Sequence, residues 1–288
     1  MERGVAHGAS GSSYLVVLTD LDGTLLDSNT YGWEEARPAL DLCRKLGIPL
    51  VLVSSKTRAE MEPLHRRLLL SAPFISENGG GIFFPSENFK TRPPQAFFDK
   101  GLWKWSLGIP YESLIHGFRE IRDELGGDLR GFSDMSIEEI SYHTGLTKDN
   151  ARLAAMREYD EPFMASDVHA FDRTALQKAA AKRGLSVAMG GRFFHLQGKN
   201  DKGQAMDRVI SWYRQSRRRV TTVALGDSPN DFPMLERADF PVLIRSDQEF
   251  PEIKKAIPRL RVSLEIGPKG WNTVVLEFLK NKKEQCDV

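Results

Sequence analysis

Cysteine is scarce in this chain. Only Cys43 and Cys286 are present, far apart in sequence, so no disulfide framework can form and a reducing compartment is expected. Excess charge is also missing. The formal net charge is +1, which gives no global field to draw the molecule to nucleic acid or an anionic membrane. The run Arg217-Arg218-Arg219 reads as a solvated helix end. No stretch approaches the roughly 20 apolar residues of a membrane span, and the opening MERGVAHGASGSSY has no apolar run of the secretory kind. Residues 1–13 are therefore expected to be a disordered leader, the protein cytoplasmic, and its partners small molecules. Oligomeric state is not readable from composition. What is present is material for a core: 288 residues, 41% of them hydrophobic, more than one average domain needs.

From Tyr14 onward short β-rich runs alternate with amphipathic stretches. YLVVLTD reads as a buried strand, WEEARPALDLCRKLG as a helix ended by Gly47, and IPLVLVSS as a second strand. Thr57 and Glu60 form the capping box of a further helix, and PFISENG supplies a third strand. Such alternation implies parallel βαβ units with both sheet faces covered. After ENGGGIFFP the rhythm changes to helices such as YESLIHGFREIRDELG, with PFMA and LSVAMGGRFFHLQG as strands of a smaller sheet. Alternation returns from DKGQAMDRVISWYRQS through VTTVALGD to WNTVVLEFLKNK. The economical reading is an α/β core interrupted by an α+β insertion.

The chemistry-bearing residues fall at the ends of the core strands. Asp20 and Asp22 follow LVVLT, Ser54 follows PLVLV, and Lys202 opens the helix after FFHLQGKND. Asp227 closes TTVALGD, with Asn230 and Asp231 in the next turn. In open α/β sheets the ligand crevice lies beyond the carboxyl ends of the strands, so these remote segments converge. Residues i and i+2 of an extended segment share a side, which sends Asp20 and Asp22 to the crevice while Leu21 enters the core. The mixture suits phosphoryl transfer. Asp20 would attack phosphorus, and Asp22 would hand a proton to the leaving oxygen and later take one from water. Asp20 and Asp227 would hold Mg²⁺, a cation that prefers oxygen ligands. Lys202, Ser54 and nearby backbone N–H groups, Ser55 among them, would meet the phosphoryl oxygens. Each segment has a plainer explanation: DLDGT as an Asp-Gly turn, and SPND as a helix cap with Pro229 in its first turn. Asp201 could likewise cap its helix while Lys202 sits solvated, with Lys199 as the alternative cation. Capping does not account for the combination, because it requires neither Asp227 before the cap nor a matching acidic pair elsewhere.

In order and spacing, DLDGT, a strand-ending Ser54, Lys202 and GDSPND resemble the four motifs of the haloacid dehalogenase superfamily. That superfamily consists largely of Mg²⁺-dependent phosphatases with a Rossmann-like core. The insertion at ISENGGGIFFP resembles the position of a type C2 (C2B) cap, as in Cof-like sugar phosphatases. More narrowly, GFSDMSIEEISYHTGLTKDNARLAAMREYDEPF, GGRFFHLQGKNDKGQAM and GPKGW resemble the mannosyl-3-phosphoglycerate phosphatase family. The resemblance implies an α/β fold with a Rossmann-like parallel-sheet core at residues 14–85 and 192–288 and an α+β C2-type cap at 86–191. It also implies Mg²⁺ at Asp20, Asp22 and Asp227, the catalytic cation at Lys202, and Asn230 and Asp231 supporting the phosphate site. The reaction implied is hydrolysis of 2-O-mannosyl-3-phosphoglycerate to mannosylglycerate, a compatible solute.

A ligand carrying a sugar and a carboxylate calls for arginine forks and hydroxyl acceptors. Arg157 and Glu158 stand where a cap helix ends near a strand, Arg192 and His195 lie on the returning strand, and Glu77 and Asn78 sit at the junction. These six are the expected substrate contacts, although ion pairs and caps consume such residues equally well. Lys56 reads first as a surface lysine, with a phosphate or carboxylate contact as the alternative. Competing functions with the same core are a glucosyl-3-phosphoglycerate or sucrose-phosphate phosphatase, a phosphomannomutase-like isomerase, and a receiver-like module that binds divalent ions without turnover.

Overall fold

The computed structural model describes residues 13–126, 129–165, 172–190 and 193–286. Arg192 and all of the expected leader except Ser13 lie outside these described residues. The strands are β1 (Tyr14–Thr19), β2 (Leu50–Val53), β3 (Phe74–Ser76), β4 (Gly81–Pro85), β5 (Phe97–Asp99) and β6 (Leu102–Ser106). They continue with β7 (Leu129–Gly131), β8 (Asp160–Ala165), β9 (Ser186–Gly190) and β10 (Phe193–Gln197). The last three are β11 (Val220–Gly226), β12 (Phe240–Arg245) and β13 (Arg261–Ile266).

A nine-stranded sheet runs in the order β13-β12-β11-β1-β2-β3-β4-β6-β5. It is parallel from β13 to β3 and antiparallel beyond. Alternation along β1 covers both faces. Leu15 and Val17 join the core beneath the helices Arg37–Lys45 and Gly267–Cys286, while Val16 and Leu18 join the core beneath Lys202–Ser216 and Phe232–Arg237. The result is an α/β fold with a largely parallel sheet covered by helices. The expected capping box of Thr57 with Glu60 is present, and Ser136 forms another with Glu139.

A second sheet, β7-β8-β10-β9, is antiparallel throughout. One face packs Phe163, Phe194 and Leu196 against the helices Tyr111–Leu125 and Arg173–Lys182. Its other face carries Pro162, Phe193 and His195, which line a cleft against the large sheet's carboxyl edge. Two short helices, Ile137–Thr144 and Lys148–Ala154, pack Ile140, Ala151 and Ala154 with Phe132 beside it.

Strand membership divides the two units differently from the expected 86–191 insertion. Strands β5 and β6 pair with β4 in the large sheet, and β10 belongs to the small one. Antiparallel strands need only short links, so the chain after β4 extends the sheet before leaving it. The segments FFD and LWKWS lack the Val/Ile runs that mark a buried strand. We propose that the inserted unit runs from Leu107 to Lys199, between the last large-sheet strand and the returning helix.

Candidate active site

The large sheet reverses its strand order at β1. The chain proceeds to β2 on one side, while β11, β12 and β13 lie on the other. Loops diverge at such a point and leave a crevice. Asp20 leaves β1 there and Asp227 leaves β11, with Thr19 and Leu225 as register partners. Gly23 follows in a left-handed turn (φ +78°), and a Cβ on it would stand 2.6 Å from Asp227 Oδ2. That close approach is why glycine occupies the position.

Lys202, 1% exposed, reaches into the crevice from the first turn of its helix. Its Nζ donates to Asp20 Oδ1 at 2.6 Å and to Asp231 Oδ1 at 2.7 Å. Asp201 caps the same helix by accepting from Gln204 N at 2.7 Å. Capping by Asp201 and burial of Lys202 among the carboxylates therefore coexist, and Lys202 is the cation that meets Asp20 and Asp231. Asp231 Oδ2 accepts from the N–H groups of Asp227 (3.0 Å) and Ser228 (3.1 Å). Asn230 donates to Asn78 Oδ1 at 3.1 Å. Thr24 Oγ1 donates to Asp227 Oδ1 at 3.0 Å.

Burial, and then the neighbouring Asp231, raise Asp20 well above the ordinary carboxylate range despite Lys202. Burial followed by Asp231 pushes Asp227 up to about 7. For Lys202, burial works against the charge, but Asp20 and Asp231 outweigh it and hold the ammonium above its ordinary value. Carboxylates so disfavoured as anions mark a place short of positive charge. Asp20, Asp227 and Asp231 each offer an oxygen within 4.8 Å of the others, an all-oxygen set that suits a hard divalent cation. Asp231 has both oxygens engaged by Lys202 and by donors of its own turn. Asp20 and Asp227 are accordingly the two best placed to hold an ion.

Asp22 differs from its expected part in the metal set. Its Oδ2 pairs with Lys56 Nζ at 2.7 Å, and its carboxylate lies outside the acidic cluster. The buried Oδ1 has no hydrogen-bond partner among the described residues. Lys56, read from sequence as a surface lysine, is a site residue whose Nζ also lies 5.0 Å from the Tyr31 ring centroid. The available signal was its position directly after Ser54 and Ser55 at a strand end. Ser54 is buried, and its Oγ accepts from Lys56 N at 3.2 Å. The carbonyl of Ser55 accepts from Arg157 Nη1 at 2.8 Å.

A cleft of about 320 Å³ joins these groups to the small sheet, with Asp20, Asp22 and Asp227 on one wall and Arg157, Phe193 and His195 on the other. Arg157 and His195 thus stand where the sequence reading put them. Three other expected contacts are committed to the protein and do not line this cleft. Glu77 is fully buried, and its carboxylate accepts from Glu158 N (3.0 Å) and Tyr159 N (2.7 Å). Glu158 is held by Arg58 at 2.9 Å and by Lys104. Asn78 accepts from Asn230. Buried polar groups require partners, and at a junction between two sheets the nearest ones are protein. Sequence reasoning missed Asp160, whose Oδ2 lies 2.7 Å from His195 Nδ1, because only the β8–β10 register brings the two together.

Residues 17–95 match the haloacid dehalogenase-like hydrolase family. A glucosyl-3-phosphoglycerate/mannosyl-3-phosphoglycerate phosphatase from Methanococcoides burtonii is 38% identical over 267 residues, covering 92% of this chain and 97% of its own. The chain belongs to the haloacid dehalogenase-like hydrolases. As a member of that family with such relatives it is a phosphatase, a hydrolase of phosphoric monoesters. A mannosyl-3-phosphoglycerate phosphatase from Pyrococcus furiosus is 35% identical over 230 residues, covering 80% of this hydrolase and 90% of the relative. A Thermoplasma acidophilum protein of known crystal structure shares the hydrolase fold at a TM-score of 0.66 and 19% identity, covering 93% of this chain and 99% of that one. Among the described residues no helix is long and apolar enough to cross a membrane.

Proposed function

We propose that this phosphatase hydrolyses glycosyl-3-phosphoglycerates, 2-O-mannosyl-3-phosphoglycerate first among them, releasing mannosylglycerate and phosphate in the cytoplasm. The observation that carries the reading is the shared cleft, in which Asp20 and Asp22 face the cap side chains Arg157 and His195. A phosphate at the carboxylates leaves the acid and sugar of such an ester directed toward these cap groups, where a guanidinium and an imidazole suit a carboxylate and hydroxyls. The glucosyl ester is the second reading, because one close relative carries both sugars in its name.

Asp20 Oδ2 has no hydrogen-bond partner among the described residues and is the nucleophile. It forms a bond to phosphorus as the bond to the glycerate oxygen breaks, and Asp22 supplies that oxygen with a proton. Water then attacks the aspartyl-phosphate and gives its proton to Asp22, and Asp20 leaves as a carboxylate. Lys202 holds Asp20 in place, and Lys56 orients Asp22. Ser54 and the N–H groups of its turn meet phosphoryl oxygens. Asp20 and Asp227 would hold Mg²⁺, which when bound neutralises charge on the transferring group.

A panel of phosphate esters compared by kcat/KM tests the reading. Mannosyl-3-phosphoglycerate is expected to exceed sucrose phosphate and simple hexose phosphates by about ten- to a hundredfold, the range set by one hydrogen bond to a charged group. Equal rates across the panel would reject the substrate. Conversion of mannose-1-phosphate to a hexose-6-phosphate without free phosphate would assign a mutase instead.

A further inference from the structure

The cap sheet presents one face to the catalytic carboxylates, and its register determines which side chains meet there. His195 of β10 lies opposite Pro162 of β8, and Gln197 opposite Asp160. Asp160 and His195 are therefore diagonal neighbours on the same face. Asp160 is fully buried, and its Oδ1 has no hydrogen-bond partner among the described residues. A buried carboxylate needs a donor close by, and the nearest is His195 Nδ1, 2.7 Å from Oδ2. Arg157 Nη1 stands farther away at 3.5 Å and gives its hydrogen bond to the Ser55 carbonyl instead.

A carboxylate only accepts, so this pairing places the proton on Nδ1 and leaves Nε2 as the free atom of the ring. Nε2 has no protein partner among the described residues, and His195 lines the cleft. We propose that Asp160 is a positioning residue which holds the His195 ring in one orientation and one tautomer. Nε2 is thereby presented to the polar group that a bound phosphate ester carries away from its phosphate. Resting on the substrate reading above, this makes Asp160 a determinant of selectivity that touches no substrate atom. The logic is that of any carboxylate that orients an imidazole through one nitrogen so that the other can work.

Two measurements on the full chain test the inference, and the first is independent of the substrate. Imidazole nitrogen spectra at about pH 8, above the ordinary histidine range, are expected to show Nδ1 protonated in the parent protein. In Asp160→Asn the proton should redistribute toward Nε2. An unchanged spectrum overturns the proposal. The second is a kinetic cycle of Asp160→Asn, His195→Gln and the double variant on mannosyl-3-phosphoglycerate. Asp160→Asn should raise KM about tenfold, the worth of one hydrogen bond to a charged group, with a smaller change in kcat. The double variant should be no worse than His195→Gln alone. Additive losses overturn the proposal, because Asp160 would then act independently of His195. If the parent enzyme shows no preference for the glycerate ester, the substrate reading fails, and the nitrogen spectra still decide the role of Asp160.

Discussion

Lys202 stands between two carboxylates and determines what each can do. One oxygen of Asp20 is engaged by the ammonium, and Asp231 is turned into a strut for it. Asp20→Asn is expected to abolish turnover without loss of the folded circular-dichroism spectrum; appreciable activity would move the nucleophile elsewhere. Asp22→Asn should slow turnover by about two to four orders of magnitude, the usual worth of a positioned proton donor, with the largest effect on substrates with poor leaving groups. Lys202→Met leaves Asp20 and Asp231 buried without their cation, which should cost about 3–5 kcal/mol of stability in urea denaturation. A cost under about 1 kcal/mol, the range of exposed ion pairs, would show that the triad contributes little to the fold.

Strand ends and the turns after them hold these side chains at their working distances. Gly226 closes β11, and a Cβ there would stand 2.4 Å from Asp231 Cβ. Gly226→Ala should therefore displace Asp231 from Lys202, lowering kcat more than KM; parent-like kinetics would show that the turn can shift freely. The regular strands of the parallel part were legible in YLVVLTD and VTTVALGD, because burial on both faces demands continuous apolar runs. The β5–β6 extension was not, because FFD and LWKWS are short, mix aromatic with charged residues and lack the continuous apolar run of a buried strand. Glu158 and Glu77 read as ligand contacts, and the structure gives both protein partners instead, for a related reason. A carboxylate at a junction looks the same in sequence whether its partner is a substrate or a backbone amide.

Across the whole molecule, buried polar contacts join the two units, and the carboxyl edge of the large sheet gathers more carboxylates than Lys202 alone neutralises. Binding of Mg²⁺ to the folded state should raise the melting temperature, by the equivalent of about 2.7 kcal/mol at a hundredfold excess over Kd. Asp227→Ala should lose most of that shift in calorimetry, and an unchanged shift would reject its ligand role. Glu77, which accepts from the cap amides of Glu158 and Tyr159, is pushed up to about 8 from 4.5 because burial outweighs Arg157 and those donors. The folded state thus retains a proton that the unfolded chain releases above about 4.5. Its contribution is complete below that value and is lost as pH rises through about 8. Between about pH 5 and about pH 8 the parent protein should lose more stability in urea than Glu77→Gln does. Parallel curves would show that Glu77 is ionised in the folded state.

The α/β class and the convergence of Asp20, Asp22, Ser54, Asp227 and Lys202 on one crevice were readable in the linear chain, because strand burial and strand-end placement are local and the crevice follows from strand order. Lys56 as the partner of Asp22, Asp231 as a strut, and Asp160 behind His195 were not. Those pairings depend on register and crossover between separate elements, as in His195 and Asp160, 35 residues apart, and contacts of that kind exist only once the sheets have formed.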